Sequence, residues 1–347
     1  MDFHSQRLKP SALAHRILVA GALIVATVTG HAVLAKDSDG PLLPSGPDPW
    51  VIQHGGFFYY MHTLGDRIAL WKTKDMLELA RVEPVVVWRA PAAGPNSKSI
   101  WAPELHRFDG KWFLYYTAAD KEHDDDAHRY VFVLENSSPD PTKGQWIDRG
   151  KLNMARSGID GTVFEHGGSR YFVYSAYVDD HSDLVIAKMI NPWTLDNHQS
   201  DIAWPTYSWE MQGNRKILEA PEFLDGPSGK VFLTYSASAC WSDDYSLGLL
   251  SADANADLTD PASWTKSATP VFATSVEHHR YAPGHNGFFK SLDGKQDWII
   301  YHANGGPDWK CTSRRAPYVQ RFHWDASGKP VFGEPGADDA VSSPKRR

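Results

Sequence analysis

This sequence has few cysteines, few long apolar runs and few stretches that could form an amphipathic helix. It contains only two cysteines, Cys240 and Cys311, so it can form no more than one internal disulfide. The formal net charge is −7 and basic residues do not cluster, which excludes a typical nucleic-acid-binding protein. The best helical window, Asp75–Ala80, is short, and this argues against a helical fold.

One long apolar run does occur, at residues 17–34, with basic residues before it and small side chains after it. This order is typical of a signal peptide, which we predict to span residues 1–35. A membrane span is the competing interpretation, but His31 and several Gly, Thr and Ala residues weaken it. The sequence therefore predicts a secreted or periplasmic protein that has no membrane association once the leader is removed.

A short phrase recurs five times and organises the rest of the chain. The five copies are Asp48-Pro49-Trp50-Val51, Trp101-Ala102-Pro103-Glu104-Leu105, Ile159-Asp160-Gly161-Thr162-Val163, Ile217-Leu218-Glu219-Ala220-Pro221-Glu222-Phe223-Leu224 and Tyr281-Ala282-Pro283-Gly284-His285. Aligned on Pro49, Pro103, Gly161, Pro221 and Pro283, they are spaced by 54, 58, 60 and 62 residues. Near-constant spacing of this length indicates a repeat architecture.

Each phrase is followed by a polar or Gly-containing turn and then by an aromatic strand, as in a β-hairpin. These second strands are Phe57–Met61, Lys111–Thr117, Arg170–Ser175, Val231–Ser236 and Asp297–His302. A third apolar strand follows in most units, and a less regular fourth strand closes several of them. Four strands in each of five units predict an all-β fold, a five-bladed β-propeller with four antiparallel strands per blade. The competing interpretation is two β-sandwich domains, but these would not place the phrases at so regular a spacing.

The propeller is predicted to be a single domain, because no linker rich in Pro, Gly or Ser divides the chain. It should span residues 40–335 and be followed by a polar tail at 336–347. Cys240 and Cys311 lie in different repeats, so a bridge between them would join neighbouring units in an exported protein. Two buried free thiols are the alternative that the sequence leaves open.

In a propeller the first strand of every blade lines the central channel, so side chains of the five phrases should converge there. The phrases supply Asp48, Glu104, Asp160, Glu219 with Glu222 close by, and His285. Several carboxylates in one pocket repel one another and lose hydration, and blade packing does not require them. Such a cluster suggests pKa values pushed apart, with one group protonated while another is ionised. Hydrolysis of a glycosidic bond needs one protonated and one ionised carboxyl group. The fourteen Trp and fourteen Tyr residues are also consistent with a sugar as the ligand.

The five phrases together resemble glycoside hydrolase family 43, the five-bladed propeller arabinofuranosidases, xylosidases and arabinanases. The resemblance covers essentially the whole chain beyond the leader. The residues that carry it are Asp48-Pro49, Trp101-Ala102-Pro103-Glu104, Ile159-Asp160-Gly161, Glu219-Ala220-Pro221 and Gly284-His285-Asn286. No single phrase is specific to this family, but the occurrence of all five in this order and at this spacing is.

The resemblance implies three catalytic carboxylates in an enzyme that inverts the anomeric centre. Asp48 would be the general base that activates water, and Glu219 the general acid that protonates the departing oxygen. Asp160 would orient the acid and tune its pKa. Two alternatives stay open: Asp48 as a turn residue before a proline, and Glu222 as the acid in place of Glu219.

Five further residues are predicted to bind the substrate or to line the pocket. They are Trp50, Trp101, Glu104, His285 and Arg315. Arg314 and Arg321 compete with Arg315 for contact with the sugar. The resemblance requires no cofactor, and it allows one calcium ion in the channel, held near His285 largely through water because calcium prefers oxygen ligands.

Details of the fifth unit are most similar to the arabinofuranosidase branches. These details are Tyr301-His302-Ala303-Asn304, the paired arginines, and Trp324-Asp325 followed by Gly328-Lys329-Pro330. We therefore predict a monomeric enzyme that removes terminal α-L-arabinofuranose from arabinan or arabino-oligosaccharides. A β-xylosidase, an endo-arabinanase and a non-catalytic sugar-binding propeller are the alternatives. The last of these would not need Asp48, Asp160 and Glu219 together.

Overall fold

The structure, a computed structural model, describes residues 40–337. The predicted leader and all but two residues of the predicted tail lie outside this range. Within it the chain forms twenty β-strands and four short 3-10 helices. No helix among the described residues has the length and apolar character needed to cross a membrane.

The strands, numbered in chain order, fall into five sets of four. The first set is β1 Trp50–His54, β2 Phe57–Met61, β3 Arg67–Thr73 and β4 Val85–Arg89. The second is β5 Lys98–Phe108, β6 Lys111–Ala119, β7 Tyr130–Asn136 and β8 Ile147–Lys151. The third is β9 Gly158–His166, β10 Ser169–Val178, β11 His181–Asn191 and β12 Thr194–Ala203. The fourth is β13 Lys216–Asp225, β14 Lys230–Ala237, β15 Ser246–Asp253 and β16 Thr265–Lys266. The fifth is β17 Tyr281–Lys290, β18 Asp297–Asn304, β19 Ala316–Trp324 and β20 Pro330–Val331.

The 3-10 helices lie between these strands. Their bounds are Met76–Arg81, Asp126–His128, Ser208–Glu210 and Pro261–Ser263. The first overlaps Asp75–Ala80, the window that gave the best helical signal in the sequence. Asp75 caps it by accepting a hydrogen bond from the backbone N–H of Leu77.

Within each set, successive strands pair antiparallel in chain order. Three sets are separate four-stranded sheets. The third and fourth sets form one eight-stranded sheet, because β11 pairs briefly with β13 in parallel at His181 and Lys216. The predictions of an all-β chain and of antiparallel four-stranded units are confirmed.

The first strands of the five sets contact one another in chain order, and β17 also contacts β1. Between the sets, the apolar faces of neighbouring sheets pack together. Tyr115 of β6, for example, lies in one cluster with Phe172 of β10. Many of the abundant aromatic side chains therefore serve to fill the space between sheets.

Each first strand is bent at its phrase. The residue just before the aligned Pro or Gly has positive φ in all five copies: Asp48 (57°), Ala102 (43°), Asp160 (55°), Ala220 (49°) and Ala282 (50°). In β5, β9, β13 and β17 the pairing with the next strand also shifts register across the phrase. A bulge of this kind redirects the side chains around it. The bend therefore decides which residues of a phrase face the interior.

Cys240 and Cys311 form a disulfide, with their Cα atoms 5.3 Å apart. Cys240 follows β14 in the fourth set, and Cys311 lies between β18 and β19 in the fifth set. The question that the sequence left open is thus answered. The bridge joins neighbouring repeats.

Gly161, the aligned residue of the third phrase, lies where β10 and the neighbouring second set leave no room for a side chain. A Cβ there would overlap the ring of Phe172 and lie 3.0 Å from Cγ2 of Val131. We expect Gly161→Ala to lower the free energy of unfolding by about 1–3 kcal/mol through overpacking. Chemical denaturation measures this loss.

The matched control is Gly40→Ala, because an added Cβ at Gly40 meets no atom within 4 Å. A surface change of this kind should alter stability by less than about 0.5 kcal/mol. Equal unfolding curves for the two variants would show that the sheets can shift to accept the extra carbon.

Candidate active site

One cavity of about 470 Å³ brings together residues that are far apart in the sequence. The predicted residues that line it are Asp48, Trp101, Asp160, Glu219, His285 and Arg315. They come from all five sets or from the segments that lead directly into them. The convergence expected of the five phrases is therefore present for the three carboxylates.

Asp48 is buried at the entry to β1 and is surrounded by donors and positive charge. Its Oδ1 accepts a hydrogen bond of 3.0 Å from Nη1 of Arg315 and lies 3.3 Å from Nδ1 of His285. Its Oδ2 accepts a 2.6 Å hydrogen bond from the hydroxyl of Thr63. The backbone N–H of Asp48 donates to Nδ1 of His302, which fixes that imidazole with Nδ1 unprotonated.

These contacts keep Asp48 ionised. Burial opposes the charge, but Arg315, His285, His302 and the Thr63 hydroxyl outweigh it, and the pKa of Asp48 falls well below its usual range. A buried carboxylate with a low pKa can accept a hydrogen bond from water throughout the neutral range. Asp48 is therefore in the ionised state that a general base requires.

Glu219 has the opposite character. It is partly exposed where it lines the cavity, and its Oε1 accepts a 2.7 Å hydrogen bond from the hydroxyl of Tyr245. Burial, helped by the charge of Asp48 and opposed by Tyr245, raises the pKa of Glu219 to about 7. A carboxyl with this pKa is substantially protonated near neutral pH, as a general acid must be.

Asp160 completes the group of carboxylates. Burial, the neighbouring Glu219 and then Asp48 raise the pKa of Asp160 well above its usual range, while the backbone N–H of Ala220 donates to it and acts the other way. Asp160 and Glu219 repel each other when both are ionised, so they titrate as a pair. The pair therefore retains a proton at a pH where an isolated carboxyl would have lost it.

This combination of an ionised carboxylate and a protonated carboxyl in one cavity is the arrangement that glycoside hydrolysis requires. The sequence of residues 40–330 matches the family model described as glycosyl hydrolases family 43. The chain belongs to this family. It is thus a glycosidase, as the five phrases predicted.

Proteins similar to this family 43 chain include two curated enzymes named extracellular exo-α-(1→5)-L-arabinofuranosidase. The one from Streptomyces avermitilis is 38% identical over an alignment that covers 93% of this chain and 69% of that protein. The one from Streptomyces chartreusis is 37% identical, and the alignment covers 85% of this chain and 92% of that protein. The crystal structure of an α-L-arabinofuranosidase from Lactobacillus brevis superimposes with a TM-score of 0.81 at 34% identity, covering 85% of this chain and 96% of that one.

Trp50 and Glu104 are not among the described residues that line the cavity of this family 43 chain. The indole Nε1 of Trp50 donates to the backbone oxygen of Leu105, and its ring packs against His106. Glu104 lies 2.8 Å from Nε2 of His106 and hydrogen-bonds with Glu222. These contacts with other protein groups give no support to a role in sugar binding.

The reason lies in the bend of the first strands. Glu104 and Glu222 each follow their aligned proline directly, whereas Asp48 and Asp160 precede the aligned residue and Glu219 lies two positions before it. The acidic residues therefore do not occupy one equivalent position, as the repeat alignment suggested. The two glutamates after the prolines meet each other in the interior, and Glu222 is not one of the described cavity-lining residues either.

The wall of the cavity beside Trp101 comes from the segment between β6 and β7. Arg129 lies over the indole ring of Trp101, 4.5 Å from its centroid, and pairs with Asp124 and Asp126. Asp126 in turn pairs with Arg215, which precedes β13. Asp126, Arg129 and Arg215 of this network also line the cavity.

Three residues that contact the predicted catalytic carboxyls were not predicted from the sequence as site residues. Thr63 follows β2, Tyr245 precedes β15 and His302 lies on β18. Their contacts are made to Asp48 and Glu219 from outside the repeated phrases. Of the three, only His302 lies in a motif noted in the sequence, Tyr301-His302-Ala303-Asn304. That motif indicated similarity to the arabinofuranosidase branches and did not identify His302 as a partner of Asp48.

Across residues 40–337, no group of three or more His, Cys, Asp and Glu side chains is arranged to hold a metal ion. His285 turns its Nδ1 toward the carboxylates, 3.3 Å from Asp48 and 3.9 Å from Asp160. An imidazole whose Nδ1 faces two carboxylates does not fit as a direct calcium ligand, because calcium prefers oxygen donors. We assign no catalytic step to a metal.

Proposed function

We propose that this chain is an inverting exo-α-L-arabinofuranosidase that releases terminal arabinose from α-1,5-linked arabinan or arabino-oligosaccharides. The observation that carries the proposal is the pairing, in one cavity, of an Asp48 whose pKa is lowered with a Glu219 whose pKa is raised to about 7. The names of the two Streptomyces relatives support arabinose as the sugar and exo action as the mode.

In the proposed mechanism, Asp48 accepts a proton from a water molecule that attacks the anomeric carbon. Glu219 donates its proton to the departing glycosidic oxygen as that bond breaks. Water attacks from the face opposite the leaving group, so the product has inverted configuration, which requires about 6.5–9.5 Å between the two carboxyl groups. After release of arabinose, Glu219 is reprotonated and Asp48 returns its proton to solvent.

Three neighbours support these roles. Arg315 keeps Asp48 ionised, and its guanidinium group, which lines the cavity, can also donate to a sugar hydroxyl there. Asp160 and Glu219 repel each other when both are ionised, so the two carboxyls together retain a proton. Tyr245 orients Glu219 through the hydrogen bond to Oε1.

We also propose that the five sets of strands are the five blades of a closed propeller. The successive contacts of β1, β5, β9, β13 and β17, and the return contact of β17 with β1, support this arrangement. Backbone hydrogen bonds from Leu42 and Gly46 to the oxygens of Pro317 and Arg315 support closure between the two ends of the domain. The cavity would then lie at the axis, where the first strands meet.

The extracellular names of the relatives support export of this chain. A monomeric state and a calcium ion held through water near His285 stay predictions. Sedimentation checks the first. Activity and thermal stability measured before and after chelation, with calcium added back, check the second.

A direct assay tests the proposed function. The purified protein is offered an aryl α-L-arabinofuranoside, an aryl β-D-xyloside and linear arabinan, with products sized and anomers followed by NMR. We expect free arabinose of inverted configuration from the first and third substrates. Oligosaccharide products would show endo action, preference for the xyloside would show a β-xylosidase, and binding without turnover would show a non-catalytic propeller.

The pH dependence of this reaction follows from the protonation state of Glu219. The acid must be protonated to act, so kcat/KM should fall as the pH rises through about 7. Removing the donor in Tyr245→Phe should raise the pKa of Glu219, because that hydrogen bond favours the ionised form. The alkaline limb of the profile should therefore move to higher pH in the variant.

Tyr235→Phe is the matched control for this shift. The hydroxyl of Tyr235 also donates to a buried glutamate, Glu210, but neither residue is among those that line the cavity. Its alkaline limb should coincide with that of the wild type. If the alkaline limb of Tyr245→Phe stayed where it is in the wild type, the hydrogen bond from Tyr245 would not set the pKa of the acid.

A further inference from the structure

The disulfide between Cys240 and Cys311 lies at the wall of the catalytic cavity, and both cysteines line it. It connects two loops from different sets of strands. One loop, 238–245, runs from the end of β14 to the start of β15, and the other, 305–315, runs from β18 to β19. The two loops meet near the mouth of the cavity.

Each of these loops ends on a residue that contacts a catalytic carboxyl. The first loop ends at Tyr245, whose hydroxyl donates to Glu219 at 2.7 Å. The second ends at Arg315, whose Nη1 donates to Asp48 at 3.0 Å. One covalent bond therefore links the loop that holds the partner of the acid to the loop that holds the partner of the base.

The path from the disulfide to Arg315 is short. Cys311 is followed by Thr312, and the carbonyl oxygen of Thr312 accepts hydrogen bonds from both the backbone N–H (3.3 Å) and the side-chain Nε (3.2 Å) of Arg315. The guanidinium that reaches Asp48 is thus held by the residue next to the bridge. Movement of Cys311 would be transmitted directly to the orientation of Arg315.

The second loop has few other anchors, one of which is the Nδ2 group of Asn304, which donates to the backbone oxygen of Lys310 at 3.3 Å. Most residues of 305–314 are exposed, and the loop contributes no strand to the described sheets. The backbone N–H of Asp308 donates to the carboxylate of Asp243, and Trp309 packs against the Gly305-Gly306 backbone and under Arg314. Exposed loops with few buried contacts open locally at low free-energy cost.

We propose that the Cys240–Cys311 disulfide is a positioning element of the active site, which holds Arg315 against Asp48 by tying its loop to the loop that carries Tyr245. The inference rests on the proposed roles of Asp48 and Glu219. The two sulfur atoms take no part in the reaction. Their function is to limit the motion of the guanidinium that keeps the base ionised.

Loss of the bridge should change the acidic side of the pH profile. Asp48 must be ionised to act, and Arg315 lowers its pKa. When Arg315 is no longer held in place, the pKa of Asp48 rises, so activity is lost at a higher pH as the solution is acidified. A bridge that only stabilised the fold would lower the melting temperature without moving this limb.

The test uses Cys240→Ser/Cys311→Ser in the full chain, assayed with an aryl α-L-arabinofuranoside well below its melting temperature. We expect kcat to fall by about 10-fold, since small misplacements of catalytic groups have effects of this size or larger. We also expect the acidic limb of kcat/KM to move to higher pH. Wild-type protein reduced while folded, with two thiols per chain confirmed by titration, supplies the same measurement if the variant does not fold.

An Arg315→Ala background distinguishes a role through Arg315 from a general one. If the bridge acts through this side chain, removing both cysteines in Arg315→Ala should produce no further shift of the acidic limb. An equal shift in both backgrounds, or an unshifted limb and unchanged kcat in the double-serine protein, would overturn the inference. Failure of the proposed function would look different, because the wild type itself would then not hydrolyse the arabinofuranoside.

Discussion

Glu219→Gln is expected to reduce kcat/KM on arabino-oligosaccharides by about 10²- to 10⁴-fold, the usual contribution of a general acid. The glutamine side chain preserves the shape of Glu219 and can still hydrogen-bond with Tyr245, but it has no proton to donate to the departing oxygen. Aryl arabinofuranosides with good leaving groups need little protonation and should lose much less activity. The measurement is kcat/KM for a series of aryl substrates of increasing leaving-group pKa, which should show a steeper dependence in the variant.

The alkaline limb of the pH profile offers a second readout of the same substitution. It should disappear for activated substrates in Glu219→Gln, because the group that titrates at about 7 is gone. Glu222→Gln is the matched control, since Glu222 is a buried glutamate three residues away that hydrogen-bonds with Glu104. Equal losses on good and poor leaving groups in Glu219→Gln, or a selective loss in Glu222→Gln, would assign the acid to another residue.

Asp48→Asn should lose about 10²- to 10⁴-fold in kcat on every substrate, whatever its leaving group. Water must be activated in each case, and an asparagine cannot accept the proton. The distinction from Glu219→Gln is therefore the slope against leaving-group pKa, which should stay close to that of the wild type. Thermal unfolding is measured alongside, because the change leaves Arg315 without its anionic partner.

Asp66→Asn is the control for Asp48→Asn. Asp66 is exposed and pairs with Arg67 at 2.7 Å on the surface, so its replacement should leave kcat unchanged and affect stability little. Activity of Asp48→Asn close to that of Asp66→Asn would remove Asp48 from the mechanism. The two variants have the same change in charge, which excludes a general electrostatic explanation of any difference.

The regular part of the fold could be predicted because its signals repeat. The run of aromatic residues in β2 predicted its bounds, Phe57–Met61, without error, and the other second strands extend the predicted ones by a few residues. The strand β12, Thr194–Ala203, was not predicted, because polar residues dominate it and it pairs only with β11. An edge strand that faces solvent on one side has little apolar alternation to detect.

The active site could be predicted only where it coincides with the repeat. Asp48, Asp160 and Glu219 lie one or two positions before the aligned residues, so their convergence followed from the predicted architecture. Thr63 and Tyr245 reach the same carboxyls from segments with no periodic pattern. Their proximity depends on bends and loop lengths that a single sequence does not specify.

Trp50 and Glu104 show the opposite limitation. Both belong to the repeated phrases, and both contact protein groups outside the cavity. The sequence alignment places such residues within one or two positions of the catalytic ones. A displacement of one residue in a bulged strand is enough to send a side chain to a different side of the sheet.

The left-handed residue before each aligned Pro or Gly has a consequence for how new specificities can arise on this scaffold. Every inner strand bends at the same place, whether the residue there is an aspartate, as at 48 and 160, or an alanine, as at 102, 220 and 282. The conformational strain, of order 1–3 kcal/mol per residue, is therefore tolerated independently of the chemistry. The backbone conformation at these positions therefore does not depend on the side chain present. An alanine there, such as Ala102 or Ala282, can be replaced by a residue with a functional group while the main chain keeps its path.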